Sequence, residues 1–151
     1  MKPRVTSTLL LSVVLAGALS SASAAALEFR SVVEPAAVLY DAPSTKAQKL
    51  FILSQGYPVE VIVKLEGWTK VRDDTGEFAW IESARLSERR TVMVKGTGAE
   101  ARVAAAETAP LVFSAEKGVF LELLGTSVGW AKVRHSDGAI GFIKVNLLWG
   151  L

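Results

Sequence analysis

Short hydrophobic stretches, separated by glycine and charged residues, make up most of the chain. Residues 59–63 (VEVIV) and 68–71 (WTKV) are typical, because they are brief and rich in β-branched or aromatic residues. Such stretches favour β-strands over helices. The alanine-rich residues 98–107 are the one segment with helical character. We interpret them as strand and loop, because they occupy the same place in the pattern as residues 36–41. The sequence therefore predicts an all-β protein.

Two segments with turn-forming residues predict β-hairpins. Residues 73–76 (DDTG) and 136–138 (SDG) each end in a glycine, which readily adopts a positive φ. A turn of two or four residues would divide the flanking side chains between the two faces of the sheet. In the first hairpin, one face would carry Val71, Phe78 and Trp80, and the other would carry Trp68, Lys70 and Ile81. In the second hairpin, one face would carry Val133, Ile140 and Phe142, and the other would carry Trp130, Lys132 and Ile143. Large apolar groups on both faces indicate a sheet curled into a small barrel.

The chain contains an internal repeat. Residues 67–72 (GWTKVR) match residues 129–134 (GWAKVR) at a shift of 62 positions, and the same shift aligns the two glycine turns. Further upstream, residues 37–39 align with residues 101–103 at a shift of 64, which predicts a loop two residues shorter in the second copy. The two predicted units are residues 31–88 and residues 90–151.

The first residues have the features of an export signal. Positive residues precede an apolar run over residues 9–19, and small residues follow at 22–24. This arrangement predicts a signal peptide over residues 1–24, with cleavage near Ala24 to Ala26. The apolar run is shorter than the roughly 18 residues that a membrane-spanning helix needs. We therefore expect a periplasmic or secreted protein, with no stable membrane insertion once the signal is removed.

Charge and cysteine content exclude several classes of function. The chain carries 17 Lys and Arg against 15 Asp and Glu, and only Lys2 and Arg4 precede the predicted cleavage site. The mature chain would then be neutral, without the basic surface typical of nucleic-acid binding, so we expect no nucleic-acid partner. The absence of cysteine excludes disulfides, thiol catalysis and cysteine-based metal sites.

The repeated motif resembles the bacterial SH3 (SH3b) domains. A Gly-Trp-x-Lys-Val stretch, a glycine turn and a hydrophobic strand recur in both copies, in residues 67–71 with 79–81 and in residues 129–133 with 141–143. The resemblance implies two small SH3-like β-barrels in tandem after the signal peptide. It also implies a cell-wall targeting role, which in the family is frequently found beside a catalytic domain. The fold does not by itself define the function.

Aromatic residues are the main candidates for ligand binding. In the family that the chain resembles, a loop near the start of the domain helps to form the ligand groove. Residues 40–44 (YDAPS) keep the Pro-Ser of that loop, whereas residues 104–107 (AAAE) of the second copy do not, so the first copy is the better candidate. The candidate groove residues are Tyr40, Asp41, Tyr57, Trp68, Trp80, Trp130 and Phe142. The rings could line a groove or pack beneath a loop as core, since both roles need large side chains.

No set of residues in the sequence suggests catalysis. The sole histidine, His135, lies in a predicted turn and aligns with Asp73, and one histidine without clustered partners completes neither a catalytic nor a metal site. We therefore predict no enzyme activity, no metal and no cofactor.

The favoured function is a binding or adaptor protein with peptidoglycan peptides or another envelope component as partner. The alternative is a structural spacer, or a module that docks an envelope protein and has no wall ligand.

Overall fold

The computed structural model describes residues 26–151, so the predicted signal peptide lies outside the described residues. These residues form two antiparallel sheets connected by loops, with two short 3₁₀ helices as the only helical elements in this range. The prediction of an all-β protein is confirmed. Within residues 26–151, no helix is long and apolar enough to cross a membrane.

The first sheet has seven strands. They are β1 (Phe29–Val32), β2 (Ala36–Tyr40), β3 (Lys49–Ser54), β4 (Pro58–Leu65), β5 (Trp68–Arg72), β6 (Phe78–Glu82) and β7 (Leu86–Ser87), with a 3₁₀ helix over Ser83–Arg85. Their order across the sheet is β3-β2-β6-β5-β4-β1-β7. Three of the six consecutive pairs are neighbours, namely β2 with β3, β4 with β5 and β5 with β6. β1 lies between β4 and β7, and β2 pairs with β6.

The second sheet repeats this arrangement. Its strands are β8 (Thr91–Val94), β9 (Ala99–Arg102), β10 (Leu111–Ala115), β11 (Phe120–Ser127), β12 (Trp130–Arg134), β13 (Ile140–Lys144) and β14 (Leu148–Trp149), with a 3₁₀ helix over Val145–Leu147. The order is β10-β9-β13-β12-β11-β8-β14, which is the first order shifted by seven strands.

Each sheet curls so that one face packs against itself. In the first sheet, Leu39, Val71 and Ile81 come from three strands, meet in one core and are at most 1% exposed. The equivalent core residues of the second sheet are Ala101, Val133 and Ile143. The core of the first sheet also includes Leu53 of β3 and Val32 of β1, which lie near opposite ends of the strand order. Side chains so far apart in one sheet meet only if the sheet is strongly curved. The prediction of two small β-barrels in tandem is confirmed.

The two copies keep one shift of 62 residues along their whole length. Tyr40 of β2 pairs with Trp80, and Arg102 of β9 pairs with Phe142, so the upstream strands follow the same shift as the rest. The predicted shift of 64 for residues 37–39 is wrong, and the loops after β2 and β9 are equally long. The alanine-rich run of the second copy aligns almost equally well in several registers, and only pairing with the neighbouring strand selects one.

Both barrels carry a five-residue hairpin loop, residues 73–77 in the first and 135–139 in the second. The buried Asp73 organises the first loop. Its carboxylate Oδ1 accepts hydrogen bonds from the backbone N–H groups of Thr75 and Glu77, both at 2.9 Å. These bonds stabilise a loop of odd length, whereas the prediction assumed two or four residues.

The odd loop length changes which side chains share a face, so the predicted division is wrong. Trp68 and Trp80 lie together on the outer face, while Val71 and Ile81 lie together in the core. The same holds in the second barrel, where the outer face carries Trp130, Lys132, Ile140 and Phe142, and the core face carries Val133 and Ile143. One additional loop residue exchanges the face on which every residue of the returning strand lies. The tryptophans therefore share one surface.

The two barrels contact each other directly. Trp149 of β14 packs edge-to-face on Phe29 of β1 with 5.3 Å between ring centroids, and its Nε1–H donates to the carbonyl oxygen of Pro58 at 2.9 Å. The Thr91 hydroxyl donates to the carbonyl oxygen of Gly56 at 2.7 Å. Apolar packing and hydrogen bonds together hold the barrels against each other.

Candidate binding site

An outer aromatic surface forms on the first barrel where β2, β5 and β6 meet. Trp80 of β6 pairs with Tyr40 of β2 on one side and with Lys70 of β5 on the other. The rings of Tyr40 and Trp68 pack edge-to-face, with 5.5 Å between their centroids. We call Tyr40, Trp68, Lys70 and Trp80 the aromatic face. Tyr40 is buried and the two tryptophans are half-buried, so the rings are held by packing yet remain accessible.

Positive charge lies beside these rings. The Lys70 ammonium is 5.5 Å from the centroid of the Phe78 ring, within the range of a cation–π contact. Phe78 is itself 50% exposed and extends the apolar surface beyond Trp80. The first barrel thus presents aromatic rings and a cation together.

Asp41 borders the aromatic face and holds the adjacent loop. Its backbone N–H donates to the carbonyl oxygen of Gln48 at 3.1 Å, and its Oδ1 accepts the N–H of Gln48 at 3.0 Å. This reciprocal pair closes the loop between β2 and β3. Asp41 therefore positions the loop next to Tyr40.

Tyr57 lies away from the aromatic face, at the contact between the barrels. Its ring packs against Phe120 of the second barrel with 5.7 Å between centroids, and its hydroxyl donates to the Asp74 carboxylate. Burial, and after it the hydrogen bond to Asp74, raises the pKa of the Tyr57 phenol. The structure therefore does not bring Tyr57 together with the other candidates of the first barrel.

The corresponding surface of the second barrel is different in chemistry. Trp130 and Phe142 lie on its outer face, but Arg102 stands where the first barrel has Tyr40. A cleft of about 650 Å³ opens beside Trp130. Its charged lining residues are Glu100, Arg102, Glu107, Glu116 and Lys144.

Most charges of this second-barrel cleft are paired with each other. Arg102 bonds the Glu100 carboxylate and donates to the carbonyl oxygen of Ala109 at 2.9 Å. Lys144 bonds Glu107, and this hydrogen bond lowers the pKa of the Glu107 carboxyl. Four of the five charges are therefore paired within the cleft, and Glu116 leaves it with a net charge of −1, whereas the aromatic face carries the single cation Lys70.

The sequence analysis missed Arg102 and its partners. The wrong shift of 64 placed Ala104 opposite Tyr40 and so hid the exchange of an aromatic residue for a cation. The constant shift of 62 aligns Tyr40 with Arg102 directly. The signal was present in the repeat, but the strand register was needed to recognise it.

In the second hairpin loop, the histidine and an aspartate lie side by side. The Nδ1 atom of His135 is 3.1 Å from Oδ1 of Asp137, and its ring lies 5.3 Å from that of Phe113. Among residues 26–151, no group of three or more His, Cys, Asp or Glu side chains is placed to hold a metal ion.

The fold places this chain among proteins built from tandem small β-barrels. Comparison of its sequence with known protein families identifies the family. Residues 33–88 and residues 95–150 each match the bacterial SH3 domain. The two matches cover more than half of the chain, and each lies within one barrel and begins directly after its first strand. The chain belongs to the bacterial SH3 domain family, as the repeated motif predicted, and domains of this family are non-catalytic binding modules.

Several solved structures are similar to this chain. NlpC2 from Trichomonas vaginalis is 19% identical, with a TM-score of 0.40, over 85% of this chain and 50% of the other. NlpC1 from the same organism is 20% identical, with a TM-score of 0.40, over 87% and 48%. An NlpC/P60 family protein from Bacillus cereus is 15% identical, with a TM-score of 0.38, over 81% and 56%. The chain spans about half the length of these structures. No curated protein matches it in sequence.

Proposed function

We propose that the protein is a non-enzymatic binding or adaptor protein of the cell envelope that recognises peptidoglycan peptides through the aromatic face. The observation that carries the proposal is the clustering of Tyr40, Trp68 and Trp80 on one outer surface, beside the Lys70 ammonium. Membership of the bacterial SH3 domain family supports a wall-binding role. The predicted signal peptide supports a periplasmic or secreted location.

The aromatic face suits a peptide with small apolar side chains and free carboxylates, which is the chemistry of the peptidoglycan stem. Indole rings bury methyl groups at a low cost in conformational entropy, because they have only two rotatable side-chain bonds. The edge-to-face contact with Tyr40 holds Trp68 in place before the ligand arrives. Lys70 supplies a cation for a ligand carboxylate at the border of the rings.

The second barrel is expected to contribute less to this binding. Arg102 replaces the buried Tyr40, and its guanidinium group is engaged with Glu100 and with the backbone of Ala109. Trp130 therefore lacks the ring that holds Trp68. We expect the two outer faces to differ in affinity even though they share a fold.

The experiment is co-sedimentation of the purified protein with peptidoglycan sacculi. Trp80→Ala should weaken binding about tenfold or more, because a half-buried ring at the centre of a recognition surface commonly contributes that much affinity. Phe142→Ala is the matched control, since Phe142 occupies the same position in the second barrel. Trp68→Ala should act like Trp80→Ala.

Circular dichroism and thermal unfolding establish that each variant is folded. Saturable binding that is lost in a folded Trp80→Ala variant and kept in Phe142→Ala would support the proposal. Absence of sacculus binding by the wild-type protein would contradict it, as would equal losses in the two variants.

Two features favour a second candidate function. The contact between the barrels favours a spacer, and an exposed sheet edge favours a module that docks a protein. The edge strand β3 exposes Leu50 and Ile52, which are 42% and 63% accessible. An exposed, apolar sheet edge can add a strand from a partner protein. Ile52→Lys should then abolish capture of an envelope protein, while Trp80→Ala should have no effect on it.

A further inference from the structure

A second cleft, of about 630 Å³, lies between the two barrels. Gln55 and Gly56 line it from the first barrel, and Phe120 lines it from the second. Its titratable lining residues are Arg89, Glu122, Arg134 and His135. The volume lies within the range typical of sites for small molecules and short peptides. None of these residues belongs to the aromatic face.

Two arginines converge on one carboxylate in this inter-barrel cleft. Arg89, from the connection between the barrels, places Nε 3.2 Å from Oε1 of Glu122 and a terminal nitrogen 3.1 Å from Oε2. Arg134 of β12 donates to the same Oε2 at 3.0 Å. Each guanidinium group has five N–H donors, and Glu122 occupies only a minority of them. The group of three carries a net charge of +1 and retains donors for a further acceptor.

The equivalent position in the first barrel shows that this excess charge is particular to the cleft. There, Glu60 is 5% exposed and is bonded by Arg72, with Nε at 2.7 Å from Oε2. The residue that corresponds to Arg89 in the first copy is Leu27. One carboxylate therefore faces one arginine in the first barrel and two arginines at the junction.

His135 increases the difference between the copies. His135 occupies the position that Asp73 has in the first barrel. The Asp73 carboxylate organises the loop of residues 73–77. In the second loop, Oδ1 of Asp137 instead accepts the N–H of Ala139 at 2.9 Å. The Nδ1 atom of the imidazole is 3.1 Å from Oδ1 of the same Asp137, so this nitrogen faces a carboxylate within the loop and Nε2 is the nitrogen left for a ligand.

From the unmatched positive charge beside an apolar wall, we infer that the inter-barrel cleft is a second binding site, and that it takes the free carboxylate of a short apolar peptide. Arg89 and Arg134 hold the carboxylate, because planar guanidinium groups match its two oxygens. Phe120 packs against the apolar part of the peptide, and His135 offers one more hydrogen bond. The site exists only where the two barrels meet, and it does not depend on the function proposed for the aromatic face.

The test is a titration of the whole protein with N-acetyl-dialanine and with its C-terminal amide, followed by two-dimensional ¹H–¹⁵N NMR. The acid should shift the resonances of cleft residues in a saturable way, and the amide should bind at least tenfold more weakly. Arg134→Gln should weaken binding of the acid about tenfold, as expected for loss of a charge-assisted hydrogen bond. Arg85→Gln is the control, since Arg85 is an ion-paired arginine outside the cleft.

Glu122→Gln separates a ligand site from a purely structural ion cluster. Removal of the internal carboxylate should tighten binding of N-acetyl-dialanine, whereas a structural cluster would bind no ligand in either form. Equal binding of the acid and the amide would overturn the inference. So would shifts confined to the aromatic face, or inorganic phosphate competing better than acetate. Because the resonances identify the site, failure here is distinguishable from failure of the sacculus experiment.

Discussion

Replacement of Trp149 by alanine tests whether the two barrels unfold as one unit. The indole packs on Phe29 of the other barrel, and its N–H donates to the carbonyl oxygen of Pro58, a residue that is almost fully buried. The position equivalent to Trp149 in the first copy is Ser87, so this contact occurs once. We expect Trp149→Ala to destabilise the protein and to uncouple the barrels.

The magnitude follows from three contributions. Truncation of a fully buried Trp to Ala costs about 3–5 kcal/mol, and the half-buried position of Trp149 reduces this to about half. The edge-to-face pair adds about 0.5–1.5 kcal/mol beyond the buried area, and the hydrogen bond to Pro58 adds about 1 kcal/mol. We therefore expect a loss of about 3–5 kcal/mol in the free energy of unfolding, a large fraction of the stability of a small protein.

The assay is urea unfolding followed by far-UV circular dichroism, together with native-state hydrogen exchange. The wild-type protein should unfold in one transition, and Trp149→Ala should show a separate, earlier transition for one barrel. Gly150→Ala should act in the same direction, because Gly150 has φ +108° and an added Cβ would lie 2.8 Å from the carbonyl oxygen of Thr91.

Ser87→Ala is the matched control and should change stability by less than about 1 kcal/mol. The reasoning would be refuted if Trp149→Ala kept the wild-type stability and a single transition. It would also be refuted if Ser87→Ala were as destabilising as Trp149→Ala.

Two further predictions concern the charged residues of the hairpins and the junction. Asp73→Ala should destabilise the first barrel by about 1–3 kcal/mol in thermal or chemical unfolding, because it removes the shared acceptor of the Thr75 and Glu77 N–H groups. His135→Ala at the equivalent position should cost less than about 1 kcal/mol. The hydrogen bond from Arg89 lowers the pKa of Glu122 below its usual 4.5, so Glu122 contributes stability above that pH, and the contribution is lost as the pH falls through the lowered pKa. Glu122→Gln should therefore lose less stability between pH 7 and pH 3 than the wild-type protein, and an equal acid dependence in both would contradict this assignment.

Features that depend on local sequence are visible in the chain itself, whereas features that depend on contacts between distant segments are not. The strands around Trp68 and Trp130 are visible in the sequence, because short β-branched and aromatic segments bounded by glycine favour strands regardless of their partners. The hairpin loops are visible for the same reason. Their length is not, since Asp73 organises residues 73–77 through hydrogen bonds that no local propensity specifies.

The register of the upstream strands decided where the candidate residues lie. Tyr40 and Trp80 were both expected in a groove, and the structure makes them neighbours across two strands that are distant in sequence. Arg102 was missed and Tyr57 was grouped with the wrong surface, because both assignments depend on contacts between segments that the sequence does not relate.

The sequence by itself determined the all-β class, the two-copy organisation and the membership of the bacterial SH3 family, because these depend on composition, short-range pattern and repetition. Only the tertiary structure decided which side chains share the aromatic face, since one loop residue more or less moves a whole strand to the opposite face. It also decided the cleft between the barrels. Glu122 and Arg134 are partners across β11 and β12, and Arg89 precedes β8, the other neighbour of β11. Packing of the first barrel then adds Gln55 and Gly56 as the opposite wall.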